Sequence, residues 1–133
     1  MTYQELDLTD DLSYTVPTKI NSNFRRRSSL NVAAKSASFT VWTDDAAGSP
    51  KDVYLVTTAA ATITVTLPTA VSGDAAAGRT VTIMKADAGG GSITIDADGS
   101  EVINGATTKS VATQFHFVTL VSDGTAWFII ANN

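Results

Sequence analysis

The sequence predicts an all-β fold, an antiparallel β-sandwich or barrel-like domain preceded by an N-terminal extended arm and a short helix. From Ala37 onward, aliphatic residues and threonines alternate with period two, the pattern of strands with one buried face and one wet face. Glycine- and proline-rich stretches separate these runs, where strands must stop. Charge is also divided, because residues 1–11 carry four acids and no base, whereas residues 12–36 carry five bases and no acid. We therefore predict an attachment arm at 1–36 and a β-rich domain at 37–133.

Composition limits the classes of protein to which the chain can belong. Its 133 residues suffice for one ordinary domain, and a hydrophobic fraction of 44% supports a packed core. The absence of cysteine excludes disulfides, thiolate zinc sites and cysteine nucleophiles. The polar, acidic start lacks the pattern of a signal peptide, and no apolar run approaches the roughly 18 residues of a membrane span. A formal net charge of −4 argues against nucleic acid as the main partner.

The N-terminal arm contains one predicted helix, over about residues 17–30, with a narrow apolar stripe. Thr15 is a candidate cap, and Pro17 falls in the first turn, where its missing N–H costs nothing. The stripe has too few members to form a core element, and the helix would be marginal alone. We therefore predict that its apolar ridge and basic tip dock onto another protein; the alternative is that the helix lies on its own β domain. The predicted docking residues are Val16, Pro17, Ile20, Asn21, Phe24, Arg25, Arg26 and Arg27.

The β domain opens with the runs "SFTVWT" and "DVYLVTT", each of which predicts a strand. In the first run, strict alternation places Val41 and Trp42 on opposite faces. In the second run, Tyr54 shares one face with Val56.

Two later runs show the alternation most clearly. In "ATITVTL", Ile63, Val65 and Leu67 share one side of the predicted strand, and threonines occupy the other side. In "RTVTIMK", Val81 and Ile83 alternate with threonines in the same way. These aliphatic residues are therefore the predicted core.

The run "FHFVTLVSDGTAWFII" predicts a hairpin at the C-terminal end of the domain. Asp123-Gly124 is a two-residue loop of the kind that accepts φ > 0 at both positions, and strong strand formers flank it. The return strand, from Trp127 to Ile130, is apolar on both faces. Such a strand cannot be left at a wet edge. It is either central in its sheet or covered by another copy of the chain.

Three carboxylates, Asp96, Asp98 and Glu101, lie within six residues around Gly99 and imitate the opening of a calcium loop. An EF-hand-like loop needs ligands at alternate positions over about 12 residues, whereas Val102 and its successor supply none. Aspartate caps local N–H groups and glycine tolerates positive φ, so the segment "DADGS" predicts a turn between the strands "SITI" and "EVIN". A weak surface cation site is the alternative.

The remaining chemical candidates are weaker. His116 alternates with phenylalanines in a strand, without the nucleophile and orienting acid that a catalytic base needs. The segment "DAGGGS" lacks the lysine and helix of a phosphate loop, which predicts a flexible hairpin connection. Arg25, Arg26 and Arg27 could hold phosphates, but an acidic protein surface is the simpler partner. We therefore predict a structural or adhesive protein that is not an enzyme and uses no cofactor.

Four segments, taken in order, resemble a known family: "TITVTLPTA", "GRTVTIMKAD", "SITIDADGSEVINGA" and "VTLVSDGTAWFII". They are similar to a β domain common in tailed-bacteriophage virion proteins, namely tail fibres, baseplate appendages and capsid decoration proteins. In that domain a strand ending in leucine-proline leads to a glycine-arginine turn, an isoleucine-rich strand and a closing hairpin. The resemblance covers roughly residues 52–131. The matching positions are Leu67, Pro68, Gly78, Arg79, Ile83, Ile93, Ile95, Gly99, Ile103, Gly105, Asp123, Gly124 and Trp127.

The segment "DLSYTVPTKINSNF" is similar to segments that begin small phage tail proteins and fix an appendage to the particle. The family implies homotrimers, in which three β domains pack about a shared axis. No shaft repeat, collagen-like run or long heptad separates the arm from the domain, so we do not expect a long fibre. The resemblance therefore implies a short trimeric tail-fibre or baseplate appendage, made in the host bacterial cytoplasm and located in the virion, that contributes to host-surface attachment.

Two alternatives stay open. A capsid decoration protein, of the cement or head-fibre kind, would use the same arm to grip the shell. A carbohydrate-binding module would bind a host-surface glycan on Trp42, Tyr54 and Trp127 if these aromatic side chains were exposed on one concave face. The expected partners are therefore further copies of the chain, another virion protein that receives the arm and a host-surface glycan, and they include neither membrane nor nucleic acid.

Overall fold

A computed structural model describes residues 29–45, 50–71 and 77–133 of the chain. The chain divides between Leu30 and Asn31, and the unit from Asn31 to Asn133 is the β domain. All eight predicted docking residues, Val16 to Arg27, lie outside the described residues, as does the predicted helix up to residue 28; its last two positions, Ser29 and Leu30, are not helical.

The described part of the β domain consists of nine strands joined by turns. Across the three described ranges there is no helix, and hence none with the length and apolar character of a membrane span. The all-β class predicted from the sequence is therefore confirmed. The strands are β1 (Val32–Lys35), β2 (Phe39–Thr40), β3 (Val53–Val56), β4 (Ile63–Thr66), β5 (Thr80–Lys85), β6 (Ile93–Asp96), β7 (Thr108–Val111), β8 (Phe117–Ser122) and β9 (Trp127–Asn132).

The strands form two sheets, and the chain crosses repeatedly between them. The five-stranded sheet has the order β1-β3-β5-β8-β9, and the four-stranded sheet has the order β2-β4-β6-β7. From β1 to β6, each strand lies in the opposite sheet from the one before it, and each of β1 to β4 pairs in parallel with the next strand but one. These six strands therefore make three turns of a two-sided coil. Strands β7, β8 and β9 then add antiparallel pairs that finish both sheets.

The predicted antiparallel pairing is therefore wrong for the pairs that the first six strands form with one another, and right for the three pairs that include β7, β8 or β9. Period-two alternation reports which face of a strand is buried, but both pairing modes produce it when one face of the sheet is wet. The turns after β1, β3 and β5 determine the parallel pairing, because they carry the chain across to the other sheet instead of reversing it within one sheet.

One buried core lies between the two sheets, and the strongest alternating runs supply much of it. Ile63, Val65 and Leu67 are buried, as are Val81 and Ile83, so the predicted core positions in these two runs are confirmed. Further core residues include Val41, Tyr54, Val56, Ile93, Ile95, Val118, Leu120 and Trp127.

Strand β1 falls within the range that the sequence assigned to the arm. Val32 pairs with Val53, and the other three residues of β1 follow in parallel register. Ala33 packs against the core. Just before the strand, Asn31 N–H donates to Oδ2 of Asp52 at 2.8 Å, and Asp52 N–H donates to the Asn31 carbonyl at 2.7 Å. Residues 31–35 are thus part of the β domain.

The first predicted strand is shorter than its run of apolar residues. Strand β2 ends at Thr40, and Trp42 adopts a positive φ of 63°. This turn of the backbone breaks the alternation, so Val41 and Trp42 are both buried instead of lying on opposite faces. A non-glycine residue rarely adopts this conformation, which is why alternation alone could not predict it.

The C-terminal hairpin is confirmed, although its turn lies one residue later than expected. Ser122 pairs with Trp127, and Asp123 N–H donates to the Ala126 carbonyl at 3.2 Å. Gly124 has a φ of 94°, while the Asp123 carboxylate accepts the N–H groups of the two residues that follow the glycine. The Asp123 carboxylate therefore caps the turn from the position just before the glycine.

Strand β9 lies at the edge of the five-stranded sheet, so a central position for this apolar strand is wrong. Trp127 is fully buried, whereas Phe128 and Ile130 are 42% and 58% exposed. Covering by another copy of the chain, the other alternative, stays a prediction.

Candidate functional site

A buried lysine and an aspartate close the loop between β5 and β6. The Lys85 side chain is fully buried, and its Nζ donates to Oδ1 of Asp87 at 3.0 Å and to the Gly89 carbonyl at 2.9 Å. The Asp87 carboxylate also accepts the N–H groups of Thr58 at 2.9 Å and Ala59 at 2.8 Å, in the turn between β3 and β4. The Thr58 amide first, and then the Lys85 ammonium, hold the pKa of Asp87 well below its usual range. We call this set of contacts the Asp87 clasp.

The glycines after Asp87 are packed, so the prediction of a flexible hairpin connection is wrong. The loop joins strands of different sheets, and its backbone lies directly on the β3–β4 turn. A Cβ at Gly89 would collide with the Ala59 carbonyl, and a Cβ at Gly91 would collide with the Ala61 carbonyl. Gly90 has open space around its Cα. Two of the three glycines are therefore required by close backbone contact.

The three carboxylates of the candidate calcium loop do not converge. Glu101 turns away, accepting the Thr69 hydroxyl at 2.6 Å and the Ala70 N–H at 2.8 Å. Asp96 lies on the outward side of β6, and Asp98 is exposed. Among residues 29–45, 50–71 and 77–133, no three His, Cys, Asp or Glu side chains come together as metal ligands. The predicted turn at "DADGS" is confirmed, since Gly99 has a φ of 55° and Glu101 N–H bonds the Asp98 carbonyl at 2.9 Å.

The segment "EVIN" after this turn is not a strand, although the sequence predicted one. Ile103 makes an isolated bridge to Ala106 across a tight turn in which Asn104 and Gly105 have φ values of 51° and 89°. Asparagine and glycine are the residues that accept positive φ most readily, which explains the position of the turn.

The same segment covers the outer edge of β9. Trp127 N–H donates to the Val102 carbonyl at 2.9 Å, and Asn104 N–H donates to the Trp127 carbonyl at 3.0 Å. Ile129 N–H donates to Oδ1 of Asn104 at 3.0 Å. Further along, a β-bulge opposite Thr119 interrupts the pairing of β9 with β8. Covered backbone groups and a bulge are two devices that prevent a further strand from adding to a sheet edge.

The three aromatic residues proposed as sugar platforms are all buried, so that role is wrong for them. Trp42 is 5% exposed, and Tyr54 and Trp127 are fully buried. The Tyr54 hydroxyl donates to Oδ2 of Asp45 at 2.5 Å and accepts the Trp42 N–H at 3.0 Å. Burial first, and then the bond to Asp45, raises the pKa of Tyr54. Arg79 stacks on the Trp42 ring at 4.2 Å from its centroid. The aromatic cluster is therefore a packing unit.

His116 is half-buried and lies just before β8, not inside the strand that the sequence predicted for it. The backbone N–H of His116 donates to the Thr113 carbonyl at 3.1 Å, and its backbone carbonyl accepts the backbone N–H of Lys85 at 3.0 Å. The preceding Phe115 has a φ of 63° and is 61% exposed. This corner positions the start of β8 against the end of β5.

The outward side of the four-stranded sheet carries mostly hydroxyl groups, and we call it the hydroxyl face. Strand register aligns its side chains in two rows that run across the sheet. The residues along these rows are half-buried or exposed. The members of the face are Thr40, Thr64, Thr66, Thr94, Asp96, Thr108 and Ser110.

The outward side of the five-stranded sheet is chemically different, and we call it the apolar face. One row across four strands reads Ala34, Leu55, Met84 and Phe117. None of the outward residues of this sheet's five strands carries a charge. In the next row the hydroxyls of Thr82 and Thr119 bond each other at 2.8 Å. The members of the face are Val32, Ala34, Val53, Leu55, Thr80, Thr82, Met84, Phe117, Thr119, Val121 and Phe128.

The sequence predicted the buried faces of the strands, but it did not predict that the carboxylates of Asp87 and Glu101 bond distant turns. Asp87 and Glu101 bond residues about 30 positions away in the chain, and no local pattern marks such partners. The apolar face was visible in fragments, as the aliphatic residues opposite the core, but only the register between strands joins them into one surface. No protein-family model matches the chain, and comparison with the curated proteins yields no match.

Proposed function

We propose that the chain is a bacteriophage virion structural protein. In this proposal it is a short homotrimeric appendage of the tail fibre or baseplate, anchored through its N-terminal segment and contributing to host-surface attachment. The order of the segments from "TITVTLPTA" to "VTLVSDGTAWFII" supports the assignment to virion proteins, because it resembles the β domain of that family. The all-β fold of two coiled sheets is compatible with a rigid displayed knob.

One observation carries the structural role. Four of the described charged side chains, Lys85, Asp87, Glu101 and Asp123, are bonded to the protein's own loops. Lys85 and Asp87 tie the β5–β6 loop to the β3–β4 turn, and Glu101 ties its own turn to the segment after β4. Asp123 caps the last hairpin. Groups used in this way stabilise a scaffold and are not available to a substrate.

The arm and the β domain have separate tasks in this proposal. The arm, with the ridge of Ile20 and Phe24 and the basic tip of Arg25 to Arg27, binds another virion protein. The β domain is presented on the outside of the particle. The protein is made in the host bacterial cytoplasm and ends in the virion.

A capsid decoration protein is the second candidate, because the same family resemblance includes capsid decoration proteins and the same arm would grip a shell. A carbohydrate-binding module is disfavoured, since Trp42, Tyr54 and Trp127 are buried. Enzymatic activity is not part of the proposal.

Cryo-electron microscopy of the phage particle that carries this protein tests the proposal. Density for the β domain in threefold-related copies at the tail or baseplate is the expected result. Copies at capsid lattice positions would establish the second candidate instead. Purified particles that contain no copy of the chain would overturn both.

A further inference from the structure

We propose that the apolar face is the surface through which copies of this chain associate. The inference deepens the proposed function, since it rests on the homotrimer proposed there and names the sheet that mediates it. The occupant of the face is therefore a second copy of the chain, contacting it through the outward residues of the five-stranded sheet.

The two outward faces of the molecule differ in chemistry although their settings are alike. Both belong to sheets of the same coil, both have period-two alternation, and both cover the same core. Yet one row of the hydroxyl face reads Thr64, Thr94 and Ser110, whereas one row of the apolar face reads Leu55, Met84 and Phe117. A sheet face that meets only water has no need of such aliphatic rows, and exposed contiguous apolar surface marks interaction sites.

The distribution of charge also favours association through the apolar face. The chain has a formal net charge of −4, and residues 37–133 hold nine acids against four bases. Two such copies repel each other when their charged surfaces approach. Because the apolar face carries no charged side chain, it is the side on which two copies meet with the least repulsion and the least desolvation of charge.

The apolar face has the size of a functional surface patch. Five strands spaced by about 4.8 Å, with about five residues each at about 3.3 Å per residue, give a flat face of about 400 Å². Apolar patches of about 300–600 Å² on single chains are often functional. A standard interface buries about 800 Å² per partner. The face therefore supplies about half of that area, and Phe128 and Ile130 are exposed along β9 at its border.

The mode of contact also follows from the structure. Pairing through the edge of β9 is obstructed, because Val102 and Asn104 occupy its backbone groups and a bulge interrupts the strand. The hydroxyls of Thr82 and Thr119 bond each other, so the middle of the face has fewer hydroxyl groups that still need a partner. Both features favour packing of the face itself over strand addition at that edge.

Matched threonine-to-glutamate variants of the full chain test the inference. Thr82 is half-buried at the centre of the apolar face, and Thr94 is half-buried at the centre of the hydroxyl face. Each lies in a strand flanked by neighbours on both sides. Mass is measured by sedimentation equilibrium at several concentrations, and folding by circular dichroism. The expected result is an oligomer for the wild type and for Thr94→Glu, and a folded species of 13.9 kDa for Thr82→Glu.

Leu55→Glu is the second variant and keeps the test decisive if Thr82→Glu does not fold. A wild-type chain that is monomeric at every concentration would overturn the inference, as would oligomers that persist in folded Thr82→Glu and Leu55→Glu. If the wild type is monomeric and Thr82→Glu makes residues 1–28 newly sensitive to protease, the arm of the same chain covers the face instead.

The failure of the inference and the failure of the proposed function are distinguishable. A chain found in the particle whose oligomer survives both glutamate variants removes the inference and leaves the virion role. A chain whose oligomer dissociates in both variants but which is missing from every particle removes the virion role and leaves the inference.

Discussion

Lys85 Nζ lies 3.0 Å from Oδ1 of Asp87, and the lysine side chain is fully buried while the aspartate reaches the surface. The pair is only two residues apart in sequence, yet the aspartate also accepts two amide N–H groups from the turn between β3 and β4. It thus joins two consecutive turns of the coil. A buried ammonium without its partner is strongly unfavourable, so the Asp87 clasp is the polar contact on which the packing of these loops most depends.

The Asp87 clasp makes stability depend on acid. The pKa of Asp87 is held below its usual range in the folded protein, whereas in the unfolded chain the carboxyl titrates at about 4. The clasp therefore contributes fully above about pH 4, and its contribution is lost as the pH falls through the folded pKa. We expect the melting temperature of the wild type to fall more steeply below pH 4 than that of Asp87→Asn.

Thermal melts followed by circular dichroism from pH 7 to pH 2 measure this difference. Asp98→Asn is the control, because this aspartate is exposed beside the "DADGS" turn, and its curve should follow the wild type. Parallel curves for the wild type and Asp87→Asn would show that the clasp does not carry the pH dependence.

The glycines of the β5–β6 loop should differ in their tolerance of a methyl group. In Gly91→Ala the new Cβ meets the Ala61 carbonyl, a backbone atom that cannot move aside freely, and we expect a loss of about 1–3 kcal/mol. In Gly90→Ala the Cβ meets nothing, and the restricted unfolded chain should leave stability unchanged or raised by about 0.4–1 kcal/mol. Urea denaturation of both variants measures the free energies of unfolding. Equal losses would contradict the packed loop.

Removal of the Glu101 carboxylate should destabilise the fold without affecting cation binding. Glu101→Ala leaves the buried Ala70 N–H and the Thr69 hydroxyl without their acceptor, and we expect a loss of about 1–3 kcal/mol. Asp98→Ala, in the same turn but exposed, should stay within about 0.5 kcal/mol of the wild type. Calcium should not shift the melting temperature of the wild type. A calcium-dependent rise that disappears in Asp98→Ala would revive the cation site.

The arm should be necessary for attachment and dispensable for the β domain. Deletion of residues 1–30 removes everything before the unit that begins at Asn31, so we expect a folded, soluble β domain that no longer joins the particle. The double substitution of Ile20 and Phe24 by aspartate should weaken attachment and leave the melting of the β domain nearly unchanged. Copy number per particle, measured by quantitative mass spectrometry, is the readout. Normal incorporation of the truncated protein would refute the division of tasks.

The sequence predicted burial better than connectivity, for a physical reason. Ile63, Val65 and Leu67 are buried as expected, because alternation along one strand fixes which face is apolar. Which strand lies beside it depends on where each turn sends the chain, and that turn direction has no period. The positive φ of Trp42 and the bond from Ala70 to Glu101, 31 residues apart, are likewise set by tertiary contacts. The rows of the apolar face could not be predicted from the sequence, because they depend on the register between five strands.

The two-sided coil built by β1 to β6 also bears on how the molecule could change in length. Each pair of consecutive strands adds one strand to both sheets at once, and every pair from β1 to β6 uses the same parallel pairing. Duplication of one such unit would thicken the domain by about 4.8 Å without disturbing the pairing on either side. The hairpin of β8 and β9 would still end the five-stranded sheet. The fold is therefore a modular scaffold, whose height can be altered by whole repeats while its end cap stays unchanged.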